Sequence, residues 1–227
     1  MDEHYERMIK ILERSVIFGD LGDERRDKVL AGGSIVTVER RRPLAPRRNE
    51  EALYIIGRGR LRVFVRDGDR EITMSYRGPG ELLGEYSLLG MGPIPENVAA
   101  DKVEALRLPP QPIQAILARD NRVLRRLAEH MAESRAVAED RVRALLTRTV
   151  ESRVASFLLE AGVNHGVPDP RGTLIGVKYT HLELANYVGS TRETVTLVLG
   201  QLRRQNVVDV DHRRVVILDE QALRLLV

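Results

Sequence analysis

The sequence predicts an α+β protein in three consecutive parts: an antiparallel β domain, one long helix, and a helical C-terminal domain that ends in a β-hairpin. Three observations carry this prediction. From about residue 35 to 108 the chain runs in short segments whose apolar and polar residues alternate with period two. Residues 121–149 contain neither Gly nor Pro and are dominated by helix formers. After residue 150 helical patterning returns, breaks at glycines, and gives way to two short β segments. The boundaries read 1–120, 121–149 and 150–227.

Of 227 residues, 43% are hydrophobic and 30% charged, which supplies a packed core and argues against a disordered chain. Cys is absent, so disulfides, thiolate nucleophiles, cysteine-held zinc and iron–sulfur clusters are not expected. The start, MDEHYERMIK, is acidic and polar and reads as no signal peptide. No run approaches the roughly 18–20 apolar residues of a membrane span, so a cytoplasmic protein is expected. Lys and Arg number 36 against 33 Asp and Glu, a net charge of +3. Residues 1–120 hold 20 of each sign and 150–227 nine of each, so the excess, seven against four, lies in 121–149. Any case for a nucleic-acid partner must therefore rest on local patches.

Residues 4–16 place Met8, Ile9, Ile11 and Leu12 among charges, an amphipathic helix. Leu61, Val63 and Val65 alternate with Arg60, Arg62, Phe64 and Arg66, Asp67-Gly68-Asp69 supplies a turn, and Ile72, Met74 and Tyr76 alternate again: a β-hairpin. Val103–Leu108 reads as a further strand. Strands at this spacing form an antiparallel barrel or sandwich. Pro109, Pro110 and Pro112 close the β region, and a short helix follows from Gln111 to Ala118. In the long helix, spacing of three and four picks out Leu124, Ala128, Met131, Arg135, Ala138, Val142, Leu145 and Thr149. This row is either a coiled-coil seam between two copies, interrupted by Arg135, or the face that packs on the β domain. Helix continues from 150, breaks in Gly166–Gly172, and a strand is expected at Leu174–Val177.

The most informative stretch is THLELANYVGSTRETVTLVLGQLRRQ, Thr180 to Gln205. Thr180 and Glu183 form a capping box that opens a helix over 181–188. Gly189 ends it, Ser190 or Thr191 caps a second helix over 192–204, and β segments follow at Val207–Val210 and Val215–Leu218. Helix, tight turn, helix and hairpin make a winged helix-turn-helix. Ala185 is small where the helices approach, and Val195 and Leu199 would bury between them. Arg192, Glu193 and Thr196 share one exposed side: Arg can donate twice to guanine O6 and N7, and Glu can accept from cytosine N4. Thr180, Ser190, Thr191, Arg203, Arg204, Arg213 and Arg214 suit phosphate contacts.

In these residues the chain resembles the Crp/Fnr superfamily of bacterial transcription regulators. GSTRETVTLVLGQL is similar to that family's recognition-helix signature, SRVASFLLEAGVNHGVP to its cyanobacterial nitrogen-control branch, and GELLGEYSLLG (80–90) to the effector pocket of its β-roll. The resemblance implies a cyclic-nucleotide-binding-like β-roll (a double-stranded β-helix), a dimerisation helix, and a homodimer on a palindromic DNA site that engages RNA polymerase. Arg192 and Glu193 fall on base-reading positions. Thr196 and Leu197 fall on positions that vary, and Leu197 stands where the cyclic-AMP receptor has Arg.

The resemblance also places an effector pocket at Leu83, Gly84, Glu85, Tyr86, Asn97, Val98, Arg135 and Glu139. Glu85 matches the ribose-binding Glu. The phosphate-binding Arg–Ser pair falls on Asn97 and Val98, and the adenine-binding pair on Ala138 and Glu139. A cyclic phosphate without its Arg is poorly compensated, so cyclic AMP is not expected to bind. The leading reading is a regulator whose effector is unknown or absent; a cyclic-nucleotide- or 2-oxoglutarate-responsive regulator is the alternative, with Arg135 and Glu139 as a polar patch. The preferred reading pairs Arg135 with Glu139 across the dimer seam. Haem is not expected, since no His lies in the β region. Arg40–Arg42, Arg47 and Arg48 read as a solvated loop, with flanking DNA or polymerase as the other option.

Two other function classes fit the sequence less well. A cupin-type metal enzyme needs several His or carboxylate ligands inside the barrel, and residues 35–108 contain no His. A cyclic-nucleotide module feeding a partner protein would not need the winged helix-turn-helix. No phosphate-binding glycine loop or dinucleotide fingerprint occurs, so no enzyme activity and no metal are expected.

Overall fold

A computed structural model describes residues 3–45, 51–211 and 214–227. The chain divides into two compact units, Met1–Arg66 with Thr73–Ala136, and Asp67–Ile72 with Val137–Val227.

The first unit opens with α1 (Glu3–Glu13), which buries Met8, Ile11 and Leu12 as its periodicity predicts. The helix α2 (Asp23–Leu30) has no sequence signal: DERRDKVL buries only Val29 and Leu30, at its end. The strands are β1 (Ser34–Val38), β2 (Leu53–Arg58), β3 (Leu61–Asp67), β4 (Arg70–Arg77), β5 (Leu82–Leu83), β6 (Asn97–Ala99) and β7 (Val103–Leu108). They form two sheets, in the orders β1-β7-β2-β5 and β4-β3-β6. The predicted hairpin is β3–β4, turning at Gly68 with φ +58°. The short helix α3 (Glu85–Leu88) follows β5, and α4 (Pro110–Leu117) begins on Pro110, which suits the first helical turn because its missing N–H would be unpaired there. One apolar core joins α1, α2 and α4 to β2 and β7; another, with Leu61, Val63 and Val103, fills the space under β3 and β6.

The long helix α5 (Asn121–Thr147) spans 27 residues, about 40 Å at 1.5 Å per residue. Val123 and Leu127 are buried in the first core, and Met131 packs partly against it. Met131, expected in the seam, belongs to the inward face, whereas Leu124, Ala128, Arg135, Ala138, Val142 and Leu145 are exposed in the single chain.

The second unit begins with α6 (Val150–His165), whose N-cap Thr149 accepts from the Ser152 amide. The expected break at 166–172 is instead a hairpin of β8 (Gly166–Asp169) and β9 (Gly172–Ile175), so the strand expected at Leu174–Val177 starts and ends two residues earlier. Pro168 hid β8; it is tolerated because β8 is the edge strand, where a missing N–H need not break the ladder. The helices α7 (His181–Val188) and α8 (Arg192–Arg204) have the predicted bounds. The strands β10 (Val208–Asp211) and β11 (Arg214–Ile217) follow, and the sheet runs β10-β11-β9-β8. The wing is thus one half of a four-stranded sheet. The last helix, α9 (Glu220–Leu225), is capped by Asp219 and was too short to show periodicity. One core, from Val154 to Leu223, joins α6, α7, α8, β9–β11 and α9.

Candidate nucleic-acid interface

The helix pair is fixed by local chemistry at each end. Thr180 Oγ1 accepts from the Glu183 amide at 3.1 Å, and Glu183 Oε2 accepts from the Thr180 amide at 2.7 Å. Gly189 adopts φ +65°, ψ +50°, and both its N–H and that of Ser190 donate to the Ala185 carbonyl. This left-handed turn reverses the chain within two residues. Thr191 Oγ1 then accepts from the Thr194 amide at 3.2 Å. Ala185, Val195 and Leu199 are buried between the helices, as expected.

Two arginines hold the carbonyls at the end of α7. Arg153 donates from Nε to Val188 at 2.8 Å and from Nη2 to Gly189 at 3.4 Å, and Arg141 donates to Tyr187. The Tyr187 ring meets Phe157 edge-on, centroids 4.8 Å apart, and Phe157 meets Tyr179 in the same way at 4.9 Å. Burial raises the ionisation range of the Tyr187 hydroxyl, with the Glu160 carboxylate adding to it. That hydroxyl donates to Glu160 at 3.0 Å.

Thr191, Arg192, Glu193, Thr196 and Leu197 are exposed on one side of α8. Among the described residues the side chains of Arg192 and Glu193 have no partner, while Leu197 is 68% exposed. Thr196 is engaged: its hydroxyl lies 2.8 Å from the Arg192 carbonyl and 2.8 Å from His181 Nδ1. Sequence reasoning missed His181; a polar residue directly after the N-cap was its only signal.

The expected phosphate-binding residues divide. Arg204 is exposed. Arg203 pairs with Asp209 at 3.2 Å, and Arg171 holds the same carboxylate at 3.2 Å. Arg214 is half-buried, and its Nε is enclosed without a hydrogen-bond partner among the described residues. Thr180 spends its hydroxyl on the capping box, and Ser190 is half-buried. Arg213 lies outside the described residues, as do Arg47 and Arg48.

In the first unit Leu83 and Glu85 are buried, Tyr86 is exposed and Val98 half-buried. Glu85 faces a cation, Arg77 Nη2 at 3.6 Å. Gly84 holds φ +97°, and a Cβ there would stand 2.3 Å from the Ala52 carbonyl oxygen. The Asn97 amide accepts from the Leu44 and Ala45 N–H groups at 2.8 and 3.2 Å and donates to Pro95 O at 3.0 Å. It pins the chain at 44–45. Arg135 and Glu139 are exposed on α5. No cluster of three metal-ligating side chains occurs among the described residues, and no described helix is long and apolar enough to cross a membrane.

Comparison with known proteins gives two domain matches: a Crp-like helix-turn-helix domain over residues 152–226 and a cyclic nucleotide-binding domain over residues 44–120. The transcriptional regulator SdrP of Thermus thermophilus is 32% identical over 185 residues, 81% of this chain and 87% of that protein. A cyclic AMP receptor protein of the same species is 34% identical, covering 77% and 81%. Among solved structures, a Crp/Fnr-family transcriptional regulator of Thermus thermophilus superposes with a TM-score of 0.69 at 30% identity, covering 85% of this chain and 97% of that one.

Proposed function

Because the chain belongs to the Crp/Fnr family of transcription regulators, with a helix-turn-helix DNA-binding domain, we propose that it acts as a homodimer whose two α8 helices enter successive major grooves of a palindromic site, about 34 Å apart. The observation that carries this reading is the outward face of α8, where Arg192 and Glu193 stand exposed, their side chains unpartnered among the described residues, at the start of a helix fixed by caps at both ends of the turn. Arg192 would bind guanine and Glu193 cytosine. Arg204 and Arg213 would supply phosphate contacts, with Thr191 and the first amides of α8 at the backbone. Arg203, shared with Asp209, would contribute less.

The dimer would form along Leu124, Ala128, Arg135, Ala138, Val142 and Leu145. RNA polymerase is the further partner, the cytoplasm the place of action, and the chain carries out no catalysis. Cyclic AMP is not its effector: Glu85 already faces Arg77, and Asn97, where a phosphate-binding Arg would stand, is committed to the backbone at 44–45. The test is selection of duplex sites from a random pool, with and without cell-extract metabolites. A two-fold symmetric consensus is expected. Recovery of no sequence preference under either condition would overturn the proposal.

A further inference from the structure

We infer that α8 reads DNA with a different chemistry on each of two turns: hydrogen bonds from Arg192 and Glu193 on the first, and a thymine 5-methyl contact from Thr196 and Leu197 on the second, with His181 as the positioning residue that turns the Thr196 methyl to the groove. The inference rests on the reading that α8 enters the major groove.

Thr196 Oγ1 lies 2.8 Å from the Arg192 carbonyl oxygen and 2.8 Å from His181 Nδ1. A carbonyl oxygen only accepts, so the single hydroxyl proton must point at Arg192 O. His181 Nδ1 is therefore the donor in the second bond. The hydroxyl keeps no proton for guanine O6 or N7, adenine N7 or thymine O4. Thr196 is nevertheless exposed, and with its oxygen turned to the protein, the γ-methyl is the branch left to face outward. Leu197 beside it is 68% exposed and wholly apolar.

Residues four apart stand one above the other on a helix. Thr196 thus follows Arg192 and Leu197 follows Glu193, each about 6 Å along the axis at 1.5 Å per residue. DNA rises about 3.4 Å per base pair. A thymine read by the second turn should fall within about two base pairs of the G·C pair read by the first. Apolar side chains recognise thymine through its C5 methyl, the feature that distinguishes it in the major groove.

The experiment takes a site recovered by selection and replaces each dT in turn with dU, which removes one methyl and leaves pairing intact. Dissociation constants are read by fluorescence anisotropy at fixed salt. At one thymine per half-site, close to the G·C pair, the change should weaken binding about threefold to fivefold, the scale of one buried methyl group. In Thr196→Val, which keeps the methyl and deletes the hydroxyl, the dU/dT ratio should persist. In Thr196→Ser it should fall towards one. His181→Ala should also lower the ratio and change the base selected there, and His181→Asn, whose amide can donate from the same place, should restore both. A ratio of one at every thymine, in a site the protein still prefers over random duplex, overturns the inference. So does a ratio kept by the Ser variant and lost by the Val variant. Equal binding to selected and random duplex removes the groove reading itself.

Discussion

The guanidinium carbon of Arg141 stands 4.4 Å from the centroid of the Tyr187 ring, and the same arginine donates to the Tyr187 carbonyl. With Arg153 on Val188 and Gly189, two cations hold the last carbonyls of α7, which carry the helix's negative end and have no partner within it. Arg141→Ala and Arg153→Ala should each destabilise the second unit by about 1–3 kcal/mol, the range for leaving such acceptors unpaired. Urea unfolding followed by circular dichroism measures this. Lysine should not rescue position 153, because Arg153 reaches several separate carbonyls with its fork and an ammonium cannot.

Arg192 and Arg204 should fail differently. Arg192→Ala is expected to lose about 1–3 kcal/mol on the selected site and to relax preference at one base pair, with little change on random duplex. Arg204→Ala should weaken all sequences alike and reduce the slope of log affinity against log salt by about one. Titrations at several salt concentrations on both duplexes separate the two.

Gly189→Ala places a side chain at φ +65°, where a Cβ would come 2.7 Å from Leu145 Cδ2. The left-handed backbone alone costs about 1–2 kcal/mol for an L-residue. A lower melting temperature is expected, with weaker specific binding as the turn shifts. Unchanged melting would count against the turn as described.

Asn97→Ala should destabilise the first unit by about 1–3 kcal/mol, since it strips the partner from two backbone N–H groups beside a residue only 5% exposed. Asn97→Asp should recover part of this, because a carboxylate still accepts from both amides but cannot donate to Pro95. Denaturant midpoints of the three proteins give the order.

Arg171 bonds the Asp169 carboxylate through its side chain and its amide, and this holds the group below the usual carboxylate range. A depressed pKa contributes stability that is present above the unfolded value, about 3.9, and is lost as pH falls through the folded value. The β8–β9 hairpin should therefore loosen below about pH 4 in the wild type, and Asp169→Asn should blunt that acid dependence in amide-exchange measurements.

What could be read from the sequence was what adjacent residues determine. The bounds of α7 and α8 follow from Thr180, Glu183, Gly189 and Thr191, each acting within a few residues. The signal failed where distant groups decide. Pro168 argued against a strand until β9 made β8 an edge. Asn97 read as a missing phosphate ligand, but its partners lie 52 and 53 residues away in sequence. His181 gained meaning only through Thr196, on the next helix. On α5 the periodic row picks out Leu124 and Ala128, but the core takes their neighbours Val123 and Leu127, with Met131 packed partly against it.

That division of α5 bears on how the regulator responds to its own supply. Leu124, Val142 and Leu145 face water in the single chain; if they form the seam proposed above, they gain that cover only when a second copy arrives. While subunits are scarce, the number of pairs grows with the square of the number of chains. Halving synthesis would then leave a quarter of the pairs, so promoter occupancy would follow gene dosage more steeply than in proportion.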